Sequence, residues 1–471
     1  MAGKPAESGT PAVRPYSRAG LWVEWVLALV ILAAFIRVGI KFYLNGYFPQ
    51  PFFYEPSDTW MDWFNTAYWA HNTGAYDSWM TIYPPLSFIL LKFMGLPHCY
   101  TAGTGLEMRD CDWLGVACLH VLYVIDIVLV ARAFSKIDRR TALPRSFSLT
   151  VGMPMLYGLE RGNLILFCFA FLVLGFGPLL RSARLRWFFI GMAVNLKVYV
   201  IAAVAALLLR RKWLAFEGCI IATVGVYLVT YGMMGAGTPI EIYRNITEFS
   251  SSFQSASVLD IWNPSTYMPL KSLLGGMGFP ITVVIGSRPA ELGLVAINVV
   301  EFSAKLILLA GAAATWLRPE KVPSYRAAMF ALSFAMITSE SGTYSQILVL
   351  FLLFMERWEG FARPAALVIC YIVCVPAEII LQAIPTLIRY SYFTGGPVYV
   401  DFGIGLGMFV RPLLNMLGPV LIALHTIRIV WLDVREQGWS SRWRYRRDFA
   451  LLPGVRRPSR PPASPTADNQ G

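Results

Sequence analysis

Charge is scarce in this 471-residue chain: Asp, Glu, Lys and Arg make up 14% of it against 56% hydrophobic residues, and the mean hydropathy is +0.54. So little charge leaves more apolar surface than a water-soluble core can bury, and the apolar runs are long enough to cross lipid, which excludes a soluble domain. Also missing are a phosphate-cradling Gly-rich loop, a His-Glu-x-x-His pair and a Cys pair at metal-ligand spacing, and the four His form no ligand pattern. No metal or cofactor is therefore expected. There is no internal repeat of fixed period, which counts mildly against transporters built from inverted repeats. Of the seven Cys, five lie in or at the edge of apolar runs and read as packed, while Cys99 and Cys111 share one polar loop and can pair in an oxidising compartment.

The charge that is present is unevenly placed. The formal net charge is +12, and eight Arg between Arg435 and Arg460, set against Glu436 and Asp448, put half of it beside the last apolar segment. A basic tail there is a cytoplasmic anchor touching anionic lipid rather than a nucleic-acid site.

Apolar segments run roughly over 21–44, 113–134, 147–160, 163–181, 187–209, 213–234, 291–316, 327–356, 364–390 and 403–432. The basic clusters at 14–18, 132–145, 181–186, 210–212, 318–326, 357–363 and the tail all fall on the cytoplasmic side if 187–209 and 327–356 each cross twice, turning at Lys197 and at Ser339-Glu340-Ser341-Gly342. That predicts an all-α polytopic membrane protein of about twelve crossings, with both ends inside and broken helices where the arms are too short to span. Residues 1–18 form a disordered cytoplasmic N-terminus, 19–434 the membrane domain and 435–471 the basic tail. The first span lacks a small-residue cleavage site, so it is expected to be retained.

On this assignment the costly polar groups converge on the outer side. They are the loop 45–112, the break Glu160-Arg161-Gly162-Asn163, Lys197, the loop 235–290 and the break at Ser339-Glu340-Ser341. Ionisable residues near membrane depth usually face a cavity, so their convergence marks one shared site. Within the first loop, "DTWMDWFNTAYWAH" (58–71) sets Trp60, Trp63, Phe64, Ala67 and Tyr68 at helical spacing on one face and Asp58, Asp62 and Asn65 on another. Such a helix would lie at the interface with its aromatics in the headgroup zone and its acids toward the protein; the plainer alternative is an anchor with solvated acids. "RDCD" at 109–112 contains an Asp-x-Asp pair, but outside the cell nucleotide sugars are scarce.

An acid shortly after the first span, the aromatic run, "YPP" about 25 residues later, "ERGN" heading a helix and "GMAVNLKVY" in the next together resemble the polyprenyl-phosphate-mannose-dependent transferases of glycosyltransferase family 87, in the GT-C fold class. The likeness covers roughly 20–360 in order and spacing. It implies a GT-C-type bundle with an amphipathic juxtamembrane first outer loop, and a first-loop acid as catalytic base, for which Asp58 is the matching position. At Asp62 that family more often has an aromatic or polar residue. Where relatives tend to carry a His, this chain reads "TSESGTYSQ", so Glu340 or Tyr344 takes its place or the acceptor differs. "SSFQSASVLDIW" resembles the family's Asn-Gln-Ser stretch, making Gln254 and Ser255 candidates for sugar hydroxyls, unless they belong to an ordinary polar loop.

The residue types suit that chemistry independently. Inverting transfer from a lipid phosphate needs a carboxylate to take the acceptor's proton and cations to hold the leaving phosphate. Arg161 can fork onto phosphate oxygens and Lys197 supplies a point charge, although either can instead snorkel to headgroups. With Asp62, Tyr83 and Asn163 they complete the substrate-binding set. The expected partners are a polyprenyl-phosphate sugar donor, a lipid-linked or glycan acceptor and membrane lipids, in a bacterial plasma membrane. A transporter or flippase of a lipid-linked sugar is the competing class, but it would carry polar residues through the midplane rather than crowd them at one interface. Cysteines placed at Ser57, Ser255 and Ser341 should label from outside in intact cells; labelling of any one only after permeabilisation would separate these segments.

Overall fold

The computed structural model describes residues 18–52, 56–101, 105–252, 263–276, 281–337 and 342–439. Gln254, Ser255, Glu340 and the tail beyond 439 lie outside the described residues. Five helices are long and apolar enough to cross a membrane: Arg18–Asn45, Trp113–Ile137, Trp213–Met234, Ser287–Leu317 and Gly407–Gln437. This is the pattern of a multi-pass membrane protein, and their bounds follow the apolar runs 21–44, 113–134, 213–234, 291–316 and 403–432 to within about five residues. All five keep large apolar side chains exposed, as helices facing lipid must.

Between them sit helices too short to span. Ile165–Phe176 and Gln346–Phe354 are almost wholly buried, and Phe169 and Phe351 meet edge to face at 5.9 Å where these two helices pack. The expected break at Lys197 is present. Ala183–Val194 ends at Asn195, the chain passes through Lys197 in extended conformation, and Ile201–Leu209 follows. Ser324–Met336 and Gln346–Phe354 lie on either side of the second expected break, of which residues 339–341 are outside the described residues. The run 147–160, expected as one span, is instead two helices, Arg139–Thr150 and Met153–Arg161. Gly152 and Pro154 part them, because a proline near a helix start has no N–H to continue the preceding ladder.

An all-α fold is corrected in one place. The runs 364–390 and 403–432 were expected as helices; the first is helical only over Ala362–Cys374, and the second begins its helix at Gly407. Pro376 follows the first helix, and β1 (Ile380–Tyr390) and β2 (Pro397–Gly405) form an antiparallel hairpin. Isoleucine-rich and proline-punctuated, this stretch favours an extended backbone, which hydropathy alone does not register.

Buried ion pairs tie the helices together away from the breaks. Arg145 forks onto Glu24 at 2.8 and 2.7 Å and donates to the carbonyls of Phe354 and Glu356, while the Tyr371 hydroxyl donates to Glu24 at 2.8 Å. Glu356 accepts from both Arg326 and Arg363. Several of the arginines expected as a positive-inside signal are thus neutralised in the core. Removing one partner of such a pair leaves an uncompensated buried charge. Glu24→Ala should therefore destabilise the fold by about 3–5 kcal/mol, read as a lowered thermal midpoint in detergent, with Glu24→Gln milder.

Candidate functional site

The site is built on a tight turn. Pro56–Asp58 is a single 3₁₀ turn, Trp60 takes a left-handed conformation (φ 64°), and the helix Met61–His71 starts from it. The Trp60 N–H donates to the Glu160 carbonyl at 2.8 Å, which fastens this turn to the end of Met153–Arg161. There Gly162 closes the helix with φ 64°, and a Cβ on it would come within 2.9 Å of the Trp60 backbone. Glycine is required twice over, by conformation and by contact.

This docking brings Arg161 between two carboxylates. Its guanidinium is ion-paired with Asp58 and donates to Asp62 at 3.1 Å. Asn163 donates to the other Asp62 oxygen at 2.7 Å, and its own carbonyl oxygen accepts the Ile165 N–H at 2.9 Å. One Arg and one Asn, two residues apart in "ERGN", therefore hold Asp62 from both oxygens, while Asp58 rests on Arg161. Asp58 precedes the helix and Asp62 lies in its first turn, so both point to one side.

Lys197 sits next to this group. It is 8% exposed, its ammonium donates to the Tyr83 hydroxyl at 3.4 Å, and it lies 4.6 Å from the Tyr83 ring centre and 5.7 Å from that of Tyr344. Among the described residues no carboxylate pairs with it. Tyr344 stacks on Tyr157 at 5.9 Å, one turn before Arg161, so the turn before Gln346–Phe354 meets the helix that carries Arg161. The structure thus gathers Asp58, Asp62, Tyr83, Arg161, Asn163, Lys197 and Tyr344 from four segments.

The aromatic face of Met61–His71 differs from expectation. Trp63 and Phe64 are fully buried, with Trp63 stacked on Phe167 at 5.8 Å, so that face enters the protein core rather than the headgroup zone. Small residues make room for it: a Cβ on Gly115 would lie 3.1 Å from the Phe64 ring. Residues outside the expected set also frame the site. Arg109 donates to the Thr59 carbonyl at 3.3 Å, and the Thr59 and Tyr392 hydroxyls are hydrogen-bonded. Neither carried a sequence signal, since both act from segments distant in the chain.

Beside Thr59 opens an apolar groove of about 750 Å³, walled by Phe35 and Phe42 of the first helix, by Phe48, Phe52 and Leu156, and by Tyr390 and Tyr392 of the hairpin, with Arg109, His120 and Glu160 as polar lining. Other motifs are structural. Asp112 of "RDCD" accepts the N–H groups of Gly115 and Leu96 and the Tyr100 hydroxyl, capping Trp113–Ile137. Cys99 and Cys111 are bridged. Asn245, the first residue of Asn-Ile-Thr at 245–247, is buried, its amide donating to the carbonyls of Tyr76 and Thr81 at 3.0 Å.

Comparison with protein-family models, curated proteins and solved structures finds no match to this chain. The site therefore stands on its own geometry.

Gly162→Ala should destabilise the protein by more than about 1 kcal/mol, whereas Gly225→Ala, at a helical position with open space around it, should be neutral or stabilising. Equal midpoints for the two variants in thermal unfolding would show that the Trp60 contact does not constrain the site.

Proposed function

We propose that this protein is a membrane glycosyltransferase that moves a sugar, most simply mannose, from a polyprenyl phosphate to a lipid-linked or glycan acceptor, within a GT-C-type bundle of about twelve crossings. The observation that carries the reading is the pairing of two carboxylates with a forked Arg next to a buried Lys that has no carboxylate partner among the described residues. A buried ammonium whose contacts among the described residues are tyrosines is poised for an anion, and a phosphate supplies one. The apolar groove beside Thr59 suits the hydrocarbon chain of a lipid substrate.

In this reaction the acceptor oxygen attacks the anomeric carbon, the bond from that carbon to the phosphate oxygen breaks, and the configuration inverts. Asp58 takes the acceptor proton as general base. Asp62, fixed by Asn163, orients acceptor hydroxyls. Lys197 and Arg161 meet the charge that develops on the departing polyprenyl phosphate. Arg161 also pairs with Asp58 and fixes its position beside Asp62. Tyr83 and Tyr344 hold Lys197 in place, and Gln254, Ser255 and Glu340 remain candidates for sugar contacts.

The direct test incubates purified protein with polyprenyl-phosphate mannose and a panel of lipid and glycan acceptors, determining product mass and linkage. Asp58→Asn should lower turnover by about 10²- to 10⁴-fold with donor binding retained, and Asp62→Asn should be milder. The reverse order would place the base at Asp62; full activity in both would remove the enzyme reading. Donor binding and translocation without any product would favour a flippase.

A further inference from the structure

Apart from Tyr390 and Tyr392, which wall the groove assigned above to the lipid substrate, the β1–β2 hairpin takes no part in the proposed reaction, yet its surface is unlike that of a loop in water. Cross-strand neighbours share a face, and faces alternate along the ladder. The pair Ile388–Tyr399 is exposed at 59% and 72%, whereas Val400, one step along, is exposed at only 1%. Tyr390 continues the outward set, and Phe393 at the tip is exposed as well. Toward the tip one face thus packs on the protein and the other offers large apolar side chains to its surroundings, while at the base Ile379, Ile380 and Leu381 are all exposed.

Both ends of the hairpin are tied to the ends of long apolar helices. At its base, Leu406 joins β2 directly to Gly407–Gln437, and Glu378 receives the Gly407 N–H at 2.9 Å and pairs with Arg411 at 2.9 Å. At its tip, the Tyr392 N–H donates to the Gly46 carbonyl at 2.8 Å, and Phe393 packs against Phe42 and Tyr43 in the last turn of Arg18–Asn45. An 11-residue strand reaches about 35 Å, enough to run from one helix end to the other along the membrane boundary. Tyr43 and Leu44 are themselves more than 70% exposed at that boundary, so the apolar face of the hairpin continues a lipid-facing surface.

We infer that the hairpin lies in the interfacial zone of the bilayer at the Asn45 end of the first helix, with Ile388, Tyr390, Phe393 and Tyr399 among the lipid chains. Its depth is limited on chemical grounds. A two-stranded sheet leaves edge N–H and C=O groups that hydrocarbon cannot satisfy, so it belongs where headgroups and water reach them. Near its base the protein supplies one rung itself, since the Gln50 amide donates to the Gly403 carbonyl and accepts the Gly403 N–H, each at 3.0 Å. Tyrosines suit this level, with an apolar ring and a polar hydroxyl. The occupant of the exposed face is phospholipid. This holds whether or not the protein transfers sugars.

Spin labels test it without any activity assay. Tyr399→Cys and Ile388→Cys, each in a Cys118→Ser background, are labelled with a nitroxide and reconstituted into phosphatidylcholine bilayers, with Asp77→Cys as an exposed comparison site outside the hairpin. The hairpin labels should relax several-fold more with dissolved oxygen than with a water-soluble nickel chelate, and the Asp77 label should show the opposite preference. Hairpin labels that follow Asp77 would place the strands in water and overturn the inference. Spin–spin broadening between labels on separate chains would overturn it too, by showing a second copy of this chain on that face.

Discussion

A charged side chain withdrawn from water must find its counter-charge, and in this protein Arg161 does so with two partners at once. Asp58 and Asp62 reach it from either side of the Trp60 turn. Without Arg161 the two acids would stand close together and repel; with it, the group is compact and oriented. The same rule holds the rest of the bundle. Arg145 with Glu24, Arg326 and Arg363 with Glu356, Arg318 with Asp433 and Arg411 with Glu378 each bind a helix to another helix or to a neighbouring connection through a paired contact. Such pairs add little net stability compared with apolar packing, but they penalise every arrangement that separates them.

The site exists because several helices stop short. Ile165–Phe176, Ile201–Leu209 and Gln346–Phe354 are too brief to cross a bilayer, and their ends leave turns that water, a substrate or polar side chains must satisfy. Arg161, Lys197 and Tyr344 occupy three of those turns. Long continuous helices stand outside them and face lipid, so irregular backbone is confined to the interior, where it can be hydrogen-bonded. The hairpin extends that logic to the boundary: one face is packed, the other is apolar, and its edge groups stay within reach of the interface.

The five long helices were legible as hydropathy, because lipid demands about twenty consecutive apolar residues and little else produces them. Hydropathy misjudged the stretch after Cys374, where β-branched residues and prolines favour strands over a helix. It also joined Arg139–Thr150 to Met153–Arg161, since a break at Gly152 costs no hydrophobicity. The candidate site was legible in kind. Ionisable residues in an otherwise oily chain are few, so Asp58, Asp62, Arg161 and Lys197 stood out one by one.

Sequence alone determined that this chain lives in a membrane and which polar residues are too expensive to be incidental, because both follow from local composition. Tertiary structure decided which of those residues meet. Nothing in the spacing of 58, 62, 161 and 163 states that one guanidinium is shared by two carboxylates and one amide steadies the second. Nor does it place Tyr83 and Tyr344 around Lys197, or bring Tyr392 to Thr59 across more than three hundred residues. Those contacts depend on how helices from distant parts of the chain pack, and packing is set by the shapes of all the side chains together.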